Sequence, residues 1–545
     1  MFRKTNPNKQ ISMLSGVNQH LMGVSSTKFA DPASWHNTFY KEVVSRIDEN
    51  IFSVLFSNGK GSPNASIKTL IGMMILKEGQ GYSDEKLYEN CRFNLLTRKA
   101  LGLVNLDDEI PAESTYYLLR KRIADYESET QINLFDKCFR QITGEQIIEF
   151  NVSGKSIRTD SKLIGSNIAF YSRYELIHSS LMLYYKSVFH AKTELLSKPD
   201  RKILNDFVKE KSSSTVYKSD KEQINTRLIA LGKLIYTILN AAKESNNTDF
   251  QTLKKVFNEQ YKVLDNRKVE LTPNNEISAE SVQSPHDTDC DFRSKTGKKT
   301  KGFSHNITET CDTDNTVNLI TDVQVDGATT ADSDFIKPAV KNSQEILPDN
   351  IENIHADGAY NSEENQEFTT KNDINFYLTG FQGKPGRYDL EFHGNTLQVT
   401  DNQLNIQIPV TITKNNKYRI KTETGYRYFT DKEIESCRLR KQANELPKEI
   451  RNKRNNVEAS IFQLAHRLRK DKTRYRGKFK NNIWAILRSL WVNFVRIANN
   501  LKKTGANTQV KVTNALHLLF FINIMQTISI LTKLEWHRKN KCTII

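Results

Sequence analysis

Six cysteines in 545 residues are few, and their placing excludes more than their number does. Cys91, Cys138, Cys290, Cys311, Cys437 and Cys542 never form a CxxC pair and never stand within four residues of one another. A zinc knuckle or a disulfide framework is therefore not expected, and a reducing cytoplasm is the natural compartment. No Walker loop, GxSxG word or HExxH helix occurs, which removes three common catalytic classes. Residues Met1–Gln10 are polar and lack the apolar run of a signal peptide. The one strongly apolar stretch, Ala515–Leu531, is interrupted by His517, Asn523 and Gln526 and is 17 residues long, the short limit for a membrane span. A buried helix or a dimer contact is expected there rather than an anchor. Acidic residues are scarce in one region: Arg438–Ile545 holds 24 Lys/Arg against 5 Asp/Glu, a local balance of +19 in a chain whose total is +16. The rest of the chain therefore sums to about −3. A charge so concentrated suits a polyanion, whose counterions it releases; the bland alternative is a solvated helix face.

What is present describes a folded chain. Hydrophobic residues at 37% with 9% aromatics are too many for disorder, and the length suits two to four domains. Residues 1–150 read as helical. Ile67, Leu70, Ile71 and Met74 fall on one helix face, Gly79 with Gly81 stops that helix, and Ser83 caps another whose first turn carries Asp84 and Glu85. Pro111–Tyr117 then leads into Leu118–Ile123 with its Arg120–Lys121–Arg122 cluster. From 151 to 370 the pattern is mixed: a strand over Lys155–Asp160, and a helical insertion over about 171–285 with polar breaks at Lys211–Lys221 and Pro273–Pro285. A hairpin follows from Lys301–Ile307 and Val317–Val323, then a helix over Ser333–Glu345 and a strand ending at Asp357. Residues 371–447 are β-rich, with runs at Asn375–Leu378, Thr396–Val399, Leu404–Ile412 and Tyr418–Thr422. Helices return over 448–505, where Ile483, Leu487, Leu490, Phe494 and Ile497 make one apolar stripe, and 506–545 is a hydrophobic and basic tail.

Three acids stand out. Asp160 lies in Ile157-Arg158-Thr159-Asp160-Ser161 and Asp357 in Ile354-His355-Ala356-Asp357-Gly358-Ala359-Tyr360, each at or near the end of a strand. Glu458 lies in Val457-Glu458-Ala459-Ser460 on a basic helix, with Arg454 one turn earlier on the same face. Hard, anionic ligands held on strands and helices suit divalent cations, and two such ions about 3.5–4 Å apart serve in-line displacement at phosphorus. Glu435, Glu445 and Glu449 rival Glu458, but lie before or around Pro447, where a loop or first helical turn is expected. Asp287-Thr288-Asp289-Cys290-Asp291 imitates the start of a calcium loop and fails it, with Phe292 where glycine and Lys298 where glutamate are needed.

These words and their order resemble the DDE transposases of bacterial insertion sequences. The resemblance covers roughly residues 30–505 and is strongest at 83–123, 157–168, 301–365 and 456–500. It implies an α/β, ribonuclease H-like catalytic core with a helical N-terminal DNA-binding domain and a β-rich insertion before the last catalytic helix. It implies that Asp160, Asp357 and Glu458 hold two Mg²⁺ ions, with Mn²⁺ as a substitute, and that the enzyme cuts element ends and joins their 3′-OH to target DNA. Double-stranded DNA would be gripped by Arg454, Arg467, Arg469, Lys470, Lys472, Arg474, Arg476, Lys478 and Lys480, with Arg120 and Lys121 in the N-terminal domain. A homodimer holding both ends, no membrane, and a cytoplasmic, nucleoid-associated location in a bacterium follow from the same likeness. A related branch of the family adds a tyrosine and a lysine each seven residues from the glutamate; here Arg451 and Ala465 stand there, with His466 and Arg467 as the nearest stand-ins. A catalytically inactive or domesticated relative that only binds DNA is the alternative, and terminal inverted repeats flanking the reading frame would argue for the mobile element.

Overall fold

Helix stops and caps in the N-terminal stretch act where the sequence puts them. In the computed structural model, which describes residues 1–504 apart from 7–9, 58, 60, 243–245, 266, 296, 382–385, 395 and 414–416, helix α1 (Ile67–Gln80) is almost wholly buried. It ends at Gly81, whose φ of 70° is the left-handed turn that glycine adopts without strain. Ser83 then accepts from the Lys86 N–H at 3.1 Å to start α2 (Asp84–Phe93), with Asp84 and Glu85 at the positive helix end. α3 (Leu95–Ala100) carries a buried Arg98 whose guanidinium donates to the carbonyls of Cys91, Asn105 and Asp108, tying the following loop back. α4 (Glu113–Thr130) packs Tyr116 edge-on against Tyr88. Among the described residues, 1–126 and 493–504 form one compact unit, and 127–492 form a second. The apolar segment Ala515–Leu531 and the tail lie outside the described residues, as does any dimer contact they make. Among the described residues no helix is long and apolar enough to cross a membrane.

The second unit is built on a mixed sheet. After α5 (Leu134–Glu149) comes β1 (Ser156–Gly165), followed by an insertion of five helices, α6 (Arg173–Ser187), α7 (Lys198–Lys209), α8 (Ser212–Lys218), α9 (Lys221–Ala242) and α10 (Thr248–Gln260). A short hairpin of β2 (Tyr261–Val263) and β3 (Val269–Leu271) closes it around its own core of Tyr174, Ile177, Leu181, Leu231, Ile235 and Leu253. The polar stretch 211–221, expected as a break, contains α8, whose residues are all at least partly exposed. Then come β4 (Asp291–Lys295), β5 (Lys298–Thr310), β6 (Ile320–Gly327), α11 (Ile336–Gln344), β7 (Asn353–Asp357), α12 (Glu363–Lys371) and β8 (Asn375–Thr379). β5 pairs antiparallel with β1 on one edge, and with β4 and β6 end to end on the other; β1, β7 and β8 run parallel.

The β-rich region forms two three-stranded sheets: β9 (Tyr388–His393), β10 (Thr396–Asp401) and β11 (Ile406–Ile408), then β12 (Val410–Ile412), β13 (Tyr418–Thr422) and β14 (Gly425–Phe429). Leu404–Ile412, expected as a single run, is split between them at Pro409, which lacks the N–H a continuous ladder needs. The two sheets share a small core of Leu390, Leu397, Val399, Ile420 and Phe429 with Ile434 of α13 (Asp431–Glu445). α14 (Lys448–Ala465) follows Pro447, and a last helix runs unbroken over 478–504, its residues 478–492 counting to this unit.

Candidate active site

The register of the sheet creates the site. β1 and β7 stay paired only from Ser156↔Asn353 to Arg158↔His355, then splay. Asp160 and Asp357 each stand two residues beyond that last rung, so strand alternation puts both carboxylates on one face at the mouth of the gap. Clefts at the carboxyl ends of diverging parallel strands are where open α/β sheets bind ligands. Asp357 ends β7, as expected. Asp160 does not end its strand: β1 continues to Gly165 because β5 remains paired with it as far as Gly165↔Gly302. That pairing needs glycine at 302, where a Cβ would lie 2.2 Å from the Ile164 carbonyl oxygen. After Asp357 the chain turns at Gly358, whose missing Cβ admits Phe381 (2.9 Å to its Cα), and buried Tyr360 pins the turn by donating to Asn306 at 2.6 Å.

Helix α14 lies over this gap. Val457, Ile461 and Leu464 form its buried stripe, and each such side chain contributes roughly 1.5–3 kcal/mol by leaving water. Polar pins fix its rotation. Buried Glu309 of β5 accepts from Arg158 Nε at 2.6 Å and from Ser460 Oγ at 2.8 Å, while Arg158 also donates to the Lys453 carbonyl at 2.9 Å. Arg488, itself buried, donates to the carbonyls of Gln463, Leu464 and His466 at 2.9–3.0 Å and so caps the helix C-terminus. Held this way, α14 drives Arg454 into the gap. Its guanidinium meets Glu458 at 2.6 Å, Asp160 at 3.3 Å and Asp357 at 3.5 Å. Asp160 and Asp357 lie almost 200 residues apart and Glu458 a further 101, yet all three meet one cation.

Electrostatics mark the same point. Burial pushes the Asp160 carboxyl up to about 6, the Asp357 and Asp332 charges push the same way, and Arg454 and the Ser161 N–H oppose them. Asp357 Oδ1 is buried without a hydrogen-bond partner. An orphaned carboxylate oxygen beside two further hard carboxylates fits a divalent cation in kind. The carboxylates surround the guanidinium rather than one another, and among the described residues no three His, Cys, Asp or Glu stand at metal-holding distance. A divalent cation held by all three acids would have to displace Arg454.

Of the other acids, Glu449 is in the first turn of α14, as expected, whereas Glu435 and Glu445 sit in α13 rather than on a loop, because the Thr430–Glu433 capping box starts a helix there. Glu435 is paired with Arg438. Among the described residues, none of the three makes an ion pair or hydrogen bond with Asp160 or Asp357. On the metal chemistry expected from the sequence, glutamine at Glu458 would abolish Mn²⁺-supported strand cleavage, while glutamine at Glu435, Glu445 or Glu449 would leave it within a few-fold. Normal cutting by the Glu458→Gln protein with loss in one of the others would move the third acid elsewhere.

The basic stretch after α14 becomes a loop laid along the end of β1. Gly165 N–H donates to the Asp471 carbonyl, Thr473 N–H to Gly165 and Asn167 N–H to Tyr475, at 2.8–3.0 Å. Arg467, Arg469, Lys470, Arg474, Arg476, Lys478 and Lys480 are exposed. Lys472 is turned inward, donating to the Ile168 carbonyl at 2.9 Å and lying over the Phe170 ring. Arg120 lies over Tyr116 and Lys121 is exposed, both in the first unit. His466 is the C-cap of α14, and Arg467 after it has a left-handed φ of 71°. Sequence reasoning passed over Asp332, which accepts from Ser161 Oγ at 2.6 Å beside Asp160, and the Arg158–Glu309 pair. No word around either marks it, since the partners lie 171 and 151 positions away in the chain.

With this geometry in view, one comparison is informative. Residues 29–122 match the family model described as a transposase domain (DUF772), which supports a transposase function. The match covers helices of the first unit and none of the three acids. No curated protein and no solved structure matches the chain.

Proposed function

We propose that this transposase is of the DDE type, with a ribonuclease H-like core in which Asp160, Asp357 and Glu458 are the metal-holding acids. It would cut the ends of an insertion sequence and join the freed 3′-OH to target DNA. The observation that carries the reading is the convergence of these acids, from two strands and a helix, on the single cation Arg454. Mg²⁺, or Mn²⁺ in its place, would supply Lewis acidity and a hydroxide nucleophile at neutral pH. The chain's own part is then positional. β1 and β7 position Asp160 and Asp357, α14 carries Glu458 to the same guanidinium they meet, and Arg454, once displaced from the carboxylates, would be free to pair with a phosphate oxygen of the strand being cut. Arg467, Arg469, Arg474 and Arg476 on the exposed loop hold the flanking duplex backbone. Joining two ends implies a homodimer with terminal inverted repeats and target DNA as partners, acting in the bacterial cytoplasm.

The decisive experiment incubates the purified chain with DNA flanking its own reading frame in Mg²⁺ and maps new 3′-OH ends. Cuts at a repeated terminal sequence are expected; no cleavage in either Mg²⁺ or Mn²⁺ overturns the catalytic reading. Binding has its own expected outcome. Duplex affinity should fall by about 10³–10⁵ between roughly 50 and 200 mM salt, as for a protein making 6–10 phosphate contacts. Alanine at each of the four loop arginines should reduce the salt slope by about one. A slope unchanged in the quadruple variant, measured by fluorescence anisotropy, would put the DNA on another surface.

A further inference from the structure

Beside the acids lies a second charged feature that neither the family match nor the expected DNA-binding residues include. A polar groove of about 230 Å³ is lined by Ser161, Lys162, Arg293, Lys295, Lys298 and Asp332. Ser161 and Lys162 directly follow Asp160 on β1, so the groove begins where the candidate active site ends. Lys295 and Lys298 face each other as a cross-strand pair next to the β4–β5 turn, and like charges directly opposite on a sheet repel. Arg293 is fixed by donating to the carbonyls of Ala328 and Thr330 at 3.1 and 3.2 Å. Such an arrangement is tolerated more readily where an anion is to be received.

One acid from elsewhere answers part of this charge. Asp471 pairs with Lys162 at 3.1 Å and also with Lys298, 173 positions away. It sits at the tip of a two-residue turn between Arg469 and Lys472, where Lys470 and Asp471 have φ of 56° and 51°. Positive φ at both central residues is the geometry of a type I′ turn, which favours glycine and asparagine. Here a lysine and an aspartate adopt it, and the result is an acid delivered to two groove lysines. Lys295 has no ion pair among the described residues.

We infer that Lys162, Arg293, Lys295 and Lys298 form a phosphate-binding groove for the DNA strand running on past the candidate acids, with Asp471 as a built-in counter-ion that the strand displaces. The inference rests on the reading that the chain binds DNA, and it is independent of whether it cuts. Neutralisation of phosphates by the lysines releases condensed cations from the DNA, a gain that Asp471 opposes as long as it occupies the lysines. Lys298 and Lys162 would exchange one carboxylate for phosphate oxygens, and Lys295 would gain its first partner.

The test is anisotropy of a fluorescein-labelled duplex with the full chain in EDTA, where no metal chemistry can contribute. Asp471→Asn is expected to tighten binding about two- to fivefold, the size of one exposed ion pair removed. Asparagine also adopts a left-handed turn readily, so the turn itself is kept. Lys295→Ala and Lys298→Ala should each weaken binding and lower the salt slope by about one, equally on unrelated duplex sequences. A misfolded variant cannot reproduce the tightening. If Asp471 merely clamps the basic loop, Asp471→Asn weakens binding, and that result, or an unchanged affinity, overturns the inference. Unaltered slopes in both lysine variants do the same, as does displacement of the duplex by millimolar inorganic phosphate, which would make this a site for free anions. A wild-type chain that binds no duplex at all defeats the DNA-binding reading itself.

Discussion

Replacing Asp160 by asparagine is expected to abolish strand cleavage while leaving the protein as stable as before, or more so, above neutral pH. The loss follows from removing a charge at the point where two strands splay: Lewis-acid assistance is worth several kcal/mol, so a fall of about three orders of magnitude or more in rate is expected. The stability effect follows from Asp160's own environment. Burial, reinforced by the Asp357 and Asp332 charges, raises its carboxyl to about 6 against an ordinary value of about 3.9. A carboxyl raised on folding binds its proton more tightly in the folded state. Its stabilising contribution is complete below about pH 3.9 and is lost as pH rises through 6. Above that, the ionised group is a liability of at most roughly 3 kcal/mol, two pKa units at 1.36 kcal/mol each. Asparagine keeps the shape and can still accept from the Ser161 N–H, which donates to Asp160 at 2.8 Å. Thermal melts at pH 5 and pH 8 check this: the Asp160→Asn advantage should open between them. A variant that melts lower than wild type by the same margin at both values contradicts the electrostatic account, and one that still cuts in Mg²⁺ removes Asp160 from the catalytic set.

What could be read of the candidate site from sequence divides by distance along the chain. The words around Asp160 and Asp357 are local, and so is the four-residue step from Arg454 to Glu458, which a helix turns into one face. The helix caps at Ser83 and Gly81 are equally local, and they act where read. What was hidden depends on partners far away in the chain. Asp160 looked like a strand end because polar residues follow it; β5 prolongs the strand through pairing that no window around Asp160 contains. Glu309 is one residue in a run of β-formers, and only the register opposite Arg158 reveals its partner. Pro409 was a readable signal inside Leu404–Ile412, and giving it the weight its missing N–H deserves would have split that run correctly. Asp471 carried no mark at all, lying among eight basic residues whose sum pointed to DNA while its pairing with Lys162 and Lys298 depended on a turn and a hairpin meeting.

The largest expected loss of stability lies away from the chemistry, at Glu309. Its side chain is completely buried, and it faces the Arg158 guanidinium, which is nearly so. Removing one partner of a buried ion pair leaves the other charge without compensation and costs about 3–5 kcal/mol. Glu309→Ala should therefore destabilise the second unit by that amount, against about 1 kcal/mol for Ser460→Ala, which deletes a single hydrogen bond to the same carboxylate. The pair is also what joins β1 and β5 to α14, since Arg158 reaches the Lys453 carbonyl next to Arg454. Loosening it should free the helix that carries Arg454 and Glu458, so amides of residues 448–465 are expected to lose hydrogen-exchange protection before those of the sheet. The control is the double replacement Arg158→Met with Glu309→Leu. An apolar pair of similar volume needs no compensation, and such exchanges have proved neutral or stabilising in other proteins. Recovery of most of the lost stability in the double variant, read from urea unfolding of the full chain, would show that the cost was the unpaired guanidinium. If the double variant is no better than Glu309→Ala, the carboxylate matters through its bond to Ser460 and the packing around it, and the ion pair is not what holds the helix over the acids.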